Sequence, residues 1–355
     1  MKLLKTAYSF DDVLLVPGFS QVNSRKDIDL STSISGLKLD IPIISANMSS
    51  VTGAEMCIAL GKLGGLGILH RMMSIDEMVT AIKSSLSAGA RKVGFSFGIG
   101  DDWMDRFVAG IEAGASIACL DVAHAHHIRV RKIIETISTQ KYYYAFPLIV
   151  GNVATADAAI DIRYWYIQNN LHYAKYGELL NPITIKVGIG GGSLCTTRVM
   201  TGCGIPTLQS VMDVQYAAYD TMDIIADGGI RNSGDIVKSI AAGASAVMLG
   251  SIFAGTKEAP GDVILGPDGK KYKVYRGSAS FGDKKTRGEE TKNIEGTETL
   301  VEYKGSINDI IPDLLDGIRS GFSYLGNELN TNYIKFVHIT NNGLNESKPH
   351  GVKYV

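Results

Sequence analysis

The sequence predicts an α/β protein built as a single closed (β/α)8 TIM barrel. Three observations predict it. Short apolar, β-rich runs recur along the chain, amphipathic segments of helical length separate them, and polar or glycine-rich residues cluster just after the runs. Mostly apolar runs suit strands buried on both faces, which is the condition of a parallel sheet built from βα units. About eight such units close a barrel of roughly 250 residues. With 355 residues and 45% hydrophobic content the chain could also hold two ordinary domains. The barrel reading instead takes 1–355 as one catalytic domain, with a surface flap over about 277–293 and a C-terminal tail over about 327–355.

In chain order the expected strands are Pro42–Ala46, Gly67–His70, Lys92–Phe97, Ile117–Asp121, Pro147–Asn152, Thr184–Gly188, Asp223–Asp227 and Ala246–Gly250. Residues able to do chemistry or turn sharply cluster just after seven of them: Asn47, His70, Asp121, Asn152, a glycine-rich loop, Asp227-Gly228-Gly229 and Gly250-Ser251. In a barrel these ends make the active-site face. The segment Gly234–Gly243 reads as an ordinary outer helix, with Asp235 in its first turn and Gly243 stopping it. Ile162–Tyr176 is aromatic and longer than a plain crossover needs, and reads as an extended outer helix with a stacked core face. Gly277–Asn293 has almost no apolar periodicity and reads as a surface flap.

Composition excludes several classes. A net charge of -1 with scattered Lys and Arg leaves no footprint for nucleic acid or a membrane surface. Cys57, Cys119, Cys195 and Cys203 form no CxxC pair, which argues for a reducing compartment without structural zinc. The N-terminus lacks an apolar signal core and no run approaches a membrane span, so a soluble cytoplasmic protein is expected.

The most informative stretch is Lys186–Arg198, where Gly190, Gly191 and Gly192 precede Ser193, Cys195 and Thr197 directly after a strand. Glycines let backbone N–H groups approach an anion, and a thiol beside such a loop can serve as a covalent catalyst. Two readings stay open locally: a phosphate cradle with a nucleophile, or a turn followed by a small buried thiol. Gly228, Gly229, Gly250 and Ser251, after the last two strands, extend the phosphate reading. Asp227 either accepts from a ribose diol or caps the next helix. His124, His126 and His127 are crowded, yet no metal is assigned to them.

Taken together, Tyr8–Pro17, Ile41–Met48, Leu69-His-Arg71, Leu120–His124, Gly151-Asn-Val153, the Cys195 loop, Ile225–Arg231 and Met248–Ser251 resemble the IMP dehydrogenase and GMP reductase family over nearly the whole chain. The resemblance implies a homotetrameric barrel that binds a purine mononucleotide and a nicotinamide cofactor, with the cysteine attacking purine C2. The dehydrogenase branch oxidises IMP with NAD and hydrolyses the intermediate to XMP. The reductase branch expels ammonia from GMP and takes hydride from NADPH to form IMP, a step of purine nucleotide salvage.

Three features point to the reductase. Only about twenty residues separate His70-Arg71 from Arg91-Lys92, where dehydrogenases usually insert CBS modules. The flap lacks the Arg-Tyr pair that activates water in dehydrogenases, Arg287 being followed by Gly288. Tyr275–Ser280 and Lys292–Gly296 resemble a bacterial GMP reductase flap. The tail Ile339–His350 resembles the dehydrogenase instead. There a Glu-Ser-His element completes a monovalent-cation site, whereas here Lys348 follows Glu346-Ser347. K+ at the backbone carbonyls of Gly190, Gly192 and Cys195 is therefore left open. Gly191 stands where many members have proline.

Carried over by the resemblance, Cys195 is the nucleophile, and Thr197 with Glu295 protonates the leaving amine. Asn47, Met48, Ser193, Asp227, Gly228, Gly229, Gly250, Ser251, Tyr275, Gly277 and Ser278 surround the nucleotide. Asp121, Asn152, Ala123 and Ser96 contact the NADPH side. His70 reads as barrel packing. A dehydrogenase without CBS modules and a purine-binding barrel without turnover are the alternatives.

Overall fold

The computed structural model describes residues 5–140, 143–168, 170, 174–175, 177, 181–218, 222–277, 296–326 and 334–340. Eight strands form a closed parallel barrel: β1 (Ile43–Ser45), β2 (Leu66–Leu69), β3 (Val93–Phe97), β4 (Ile117–Asp121), β5 (Leu148–Val153), β6 (Thr184–Val187), β7 (Asp223–Asp227) and β8 (Ala246–Leu249). Closure is made by β8 on β1, with Val247 opposite Ile43 and Leu249 opposite Ser45, so the sheet keeps no free edge. Each expected run falls on one of these strands, and the ends differ by a residue or so. β1 begins after Pro42, which has no N–H to give and contributes only its carbonyl, accepting from Val247 N at 2.9 Å.

The outer layer follows the strands: α1 (Ala54–Lys62), α2 (Ile75–Ser87), α3 (Trp103–Glu112), α4 (Ile128–Thr139), α5 (Ala156–Gln168), α6 (Thr207–Ala218), α7 (Ser233–Ala241) and α8 (Ile307–Leu325). Local signals start them. Ser74 and Glu77 form a reciprocal capping box at α2, and Asn232 caps α7 by accepting from Asp235 N at 2.9 Å. Between α2 and β3 the chain runs only through Ala88–Lys92, so that connection holds no further module. The expected long aromatic helix is α5, which begins earlier and ends at Gln168. Trp165 and Tyr166 are buried on its inner side while Tyr164 is exposed, and most of the segment up to Tyr176 lies outside the described residues.

Strands buried on both faces and the helices over them make one continuous apolar core. Beneath α3 it holds an aromatic cluster, in which the Phe107 ring lies 5.2 Å from Phe97 and 5.6 Å from Tyr143. One end of the barrel is plugged. A hairpin of Thr32–Ile34 and Leu37–Leu39 turns at Ser35 and Gly36, both at positive φ, and Ser35 N donates to Asp223 Oδ2 at 2.7 Å at the start of β7. The other end carries the polar strand termini. Over it leans an antiparallel ribbon of Ile264–Leu265, Lys271–Arg276 and Glu298–Glu302, which brings Tyr275 to the mouth. Val13–Leu15 pairs with Phe336–His338. Residues 278–295, which take in nearly all of the expected flap, and most of the expected tail lie outside the described residues. Among the described residues no helix is long and apolar enough to cross a membrane.

Candidate active site

One cleft opens at the C-terminal ends of the strands. Its lining includes the Cys195 loop after β6, Gly228-Gly229 after β7 and Gly250-Ser251 after β8. The three glycine-rich segments therefore converge, as the phosphate reading requires. The approach is backbone on backbone: Gly228 has φ +95°, and a Cβ there would stand 3.0 Å from Gly192 N. At Gly191 a Cβ would fall 2.2 Å from Thr207 Oγ1. That buried hydroxyl occupies the space and has no hydrogen-bond partner.

Cys195 is half-buried on the cleft wall, which removes the reading of it as a buried packing thiol. Its Sγ donates to Thr197 Oγ1 at 3.1 Å, and its backbone N to Gly192 O at 3.1 Å. Cys57 and Cys119 are fully buried, and burial pushes both thiols up to about 12. Cys203 is exposed away from this wall. The segment after the flap is stitched to the nucleophile loop: Gly296 bridges to Cys195, Thr297 N donates to Leu194 O at 3.0 Å, and Gly277 N donates to Thr297 O at 3.0 Å. Glu295 precedes Gly296 in the chain and, with Ser278, lies outside the described residues.

The nucleotide side is walled by Met48 and Tyr275, whose hydroxyl points to Met48 Sδ at 3.9 Å and hydrogen-bonds Ser193. Burial pushes the Tyr275 phenol up to about 12, so it acts as a neutral hydrogen-bonding group. Asp227 does not cap α7, a role held by Asn232. Nor is its carboxylate wholly free: Oδ2 accepts from Asn152 Nδ2 at 2.8 Å and from Lys186 Nζ at 3.2 Å, leaving Oδ1 for a diol.

The opposite side holds Asp121, Ala123 and Asn152 on the cleft lining. Asp121 meets Lys186 Nζ at 2.9 Å and Arg71 Nε at 3.7 Å. Burial pushes its carboxyl up, but Lys186 and Arg71 outweigh that and hold it below the usual range. Arg71 Nε is buried with no hydrogen-bond partner, an orphan that a polar ligand on this side would satisfy. These groups fit a riboside with a carboxamide. Ser96 requires a correction. It is fully buried beneath the cleft and accepts from Asn47 Nδ2 at 2.9 Å, so it steadies Asn47 and cannot reach a ligand itself. Asn47 in turn hydrogen-bonds Asp121.

Sequence reasoning passed over Lys186 and Arg71, which it quoted only as members of motifs. A lysine inside an otherwise apolar strand was the available signal for the first, because a buried ammonium needs partners. Burial lowers the Lys186 ammonium, yet Asp121 and Asp227 more than compensate, leaving it raised and charged. His70 is buried, its Nδ1 accepting from Met72 N at 3.1 Å, consistent with a packing role. His126 meets Asp161 at 2.8 Å and His127 caps α4; among the described residues no group of metal-ligating side chains occurs. Within the Cys195 loop, Gly192 O accepts from Cys195 N at 3.1 Å, and the Arg198 side chain lies beside Gly190. Glu346 and Ser347 lie outside the described residues.

A barrel whose strand ends gather a half-buried thiol, a glycine cradle and two carboxylate-bearing walls has the layout of an α/β-barrel enzyme. The family model described as IMP dehydrogenase / GMP reductase domain matches residues 7–350, and the chain belongs to that family. It is 35% identical to an inosine-5'-monophosphate dehydrogenase of Borreliella burgdorferi, over 99% of this chain and 98% of that protein. Similar matches are an inosine-5'-monophosphate dehydrogenase of Cryptosporidium parvum, at 34% over 98% and 96%, and one of Methanocaldococcus jannaschii, at 32% over 98% and 96%.

Proposed function

We propose that the chain is a GMP reductase, which converts GMP to IMP and ammonia with NADPH through a covalent adduct on Cys195. The observation that carries the chemistry is the Cys195–Thr197 pair, 3.1 Å apart, on a loop bridged to the residue after Glu295. The observation that supports the reductase reading is the 277–295 segment, which contains no tyrosine and so no Arg-Tyr pair to activate water.

In this reading the GMP phosphate sits on Ser193, Gly228, Gly229, Gly250 and Ser251, and the ribose diol donates to Asp227. Met48 and Tyr275 flank the purine, while Asn47 holds Asp121 in place. The Cys195 thiolate adds to C2. The C2–N2 bond then breaks, and Thr197 with Glu295 supplies the proton that lets the amine leave as ammonia. NADPH, when bound beside Asp121, Ala123, Asn152 and Arg71, supplies a hydride to C2. Cleavage of the C2–S bond returns the electron pair to Cys195 and releases IMP. The active species is proposed to be a homotetramer, which light scattering on the purified protein checks.

The names of the curated relatives favour a second reading, an IMP dehydrogenase without CBS modules that oxidises IMP with NAD. One experiment separates the two. Absorbance at 340 nm is followed with GMP plus NADPH and, in parallel, with IMP plus NAD. Loss of NADPH with ammonia release, abolished by Cys195→Ala, supports the reductase; gain of NADH from IMP overturns it.

A further inference from the structure

The ammonium of Lys186 is the least expected group in the barrel. Lys186 sits in β6, only 2% exposed, and all three of its N–H donors are spent on protein. They reach Asp121 Oδ1 at 2.9 Å, Asp227 Oδ2 at 3.2 Å and Asn152 Oδ1. Asn152 closes the circuit, its Nδ2 donating to Asp227 Oδ2 at 2.8 Å and to Gly188 O at 2.7 Å. Asp121 ends β4 and Asp227 ends β7, so the carboxylates stand on different walls of one cleft and share one cation. Arg71 approaches Asp121 alone, at 3.7 Å.

A buried ammonium with no donor left cannot bind a ligand directly, and its removal would leave two carboxylates facing each other in a desolvated floor. Its position gives it another role. We infer that Lys186 is a positioning residue that couples the two halves of the cleft, so that a nucleotide on Asp227 tightens binding of the dinucleotide on Asp121, and the reverse. This rests on the reading that the cleft takes a purine mononucleotide and a nicotinamide dinucleotide. A diol that engages Asp227 Oδ1 restrains that carboxylate, and through it Lys186, Asn152 and then Asp121. The second ligand meets a network already ordered and loses less conformational freedom on binding. Linkage requires the effect to be equal in both directions.

Calorimetric titration of the full chain tests this with GMP and NADP+, a pair in which neither partner can supply hydride to the other. Each Kd is measured with and without the other ligand at saturation. In the wild-type chain each ligand tightens the other by the same factor, at least about fivefold. In Lys186→Met that factor falls toward one, while Lys186→Arg, which keeps the charge, retains most of it. A purely structural lysine would weaken both affinities and leave the factor unchanged, and that result overturns the inference. Independent binding of both ligands to the wild type overturns it as well. If Lys186→Met does not fold, the comparison is made between Lys186→Gln and Lys186→Arg, with loss of coupling expected only in the first. Failure of the wild type to bind either ligand would instead overturn the nucleotide reading of the site, and the inference with it.

Discussion

Gly250→Ala isolates the wall that holds the purine. Gly250 has φ -102° and ψ -75°, a negative-φ conformation at the edge of the right-handed helical region, so alanine meets no left-handed barrier there. The main effect of the substitution is steric. A Cβ at 250 would lie 2.8 Å from the Tyr275 hydroxyl, closer than real Cβ contacts allow, so the ring must retreat by several tenths of an ångström. Tyr275 is 5% exposed, and retreat disturbs its contacts with Ser193 and Met48. Overpacking of this kind costs about 1–3 kcal/mol. Because the clash falls on a cleft wall, we expect most of it in ligand binding, as a rise in nucleotide KM of about 5- to 150-fold, with kcat less affected. Steady-state kinetics with GMP and a thermal melt measure the two effects together. Tyr275→Phe removes the clashing atom, so Gly250→Ala/Tyr275→Phe should bind nucleotide better than Gly250→Ala alone. A double variant as impaired as the two single effects combined would refute the reasoning, because the clash would then lie elsewhere.

Iodoacetamide at mildly alkaline pH should label Cys195 and Cys203 and spare Cys57 and Cys119, whose buried thiols are pushed up to about 12; GMP should protect Cys195 alone, as peptide mass mapping would show. Thr197→Val keeps the shape of the side chain but removes the hydroxyl 3.1 Å from Cys195 Sγ, and kcat should fall by about 10²–10⁴ with the melting temperature nearly unchanged; a loss below about tenfold would remove Thr197 from the proton path. Burial lowers His70 to about 4, below its ordinary value of 6.5, so the unfolded chain takes up a proton first as pH falls. Stability from this group is present above about pH 6.5 and is lost on descent toward pH 4, by about 2 kcal/mol between pH 7.5 and 5. Urea unfolding of the wild type against His70→Gln should show that difference, and parallel pH profiles would sink the assignment.

The strands were legible because their signal is local. Val93–Phe97 and Ile117–Asp121 are apolar apart from Ser96 and the terminal Asp121, since both faces are buried, and that needs only neighbouring residues to be seen. The same locality exposed the Cys195 loop and Asp227-Gly228-Gly229, because turn chemistry is written within a few positions. The hairpin at Ser35-Gly36 was missed although its Ser-Gly turn was present: its strands are three residues each, too short to show alternation. Ser96 was placed at the cleft by resemblance, whereas its burial on β3 depends on which face the closed barrel turns inward.

Sequence by itself determined the eight-strand barrel, the family, and the placing of a thiol among glycines at the strand ends, because each of these follows from periodicity or from contiguous residues. Only tertiary structure decided that Lys186 is shared by Asp121 and Asp227, that Tyr275 stands against Gly250, and that Cys195 is bridged to Gly296. Those contacts join residues distant in the chain, brought together by closure of the barrel and by the ribbon folding over its mouth. No local pattern encodes them, since the energy of each pair depends on a distance that exists only after the chain has closed.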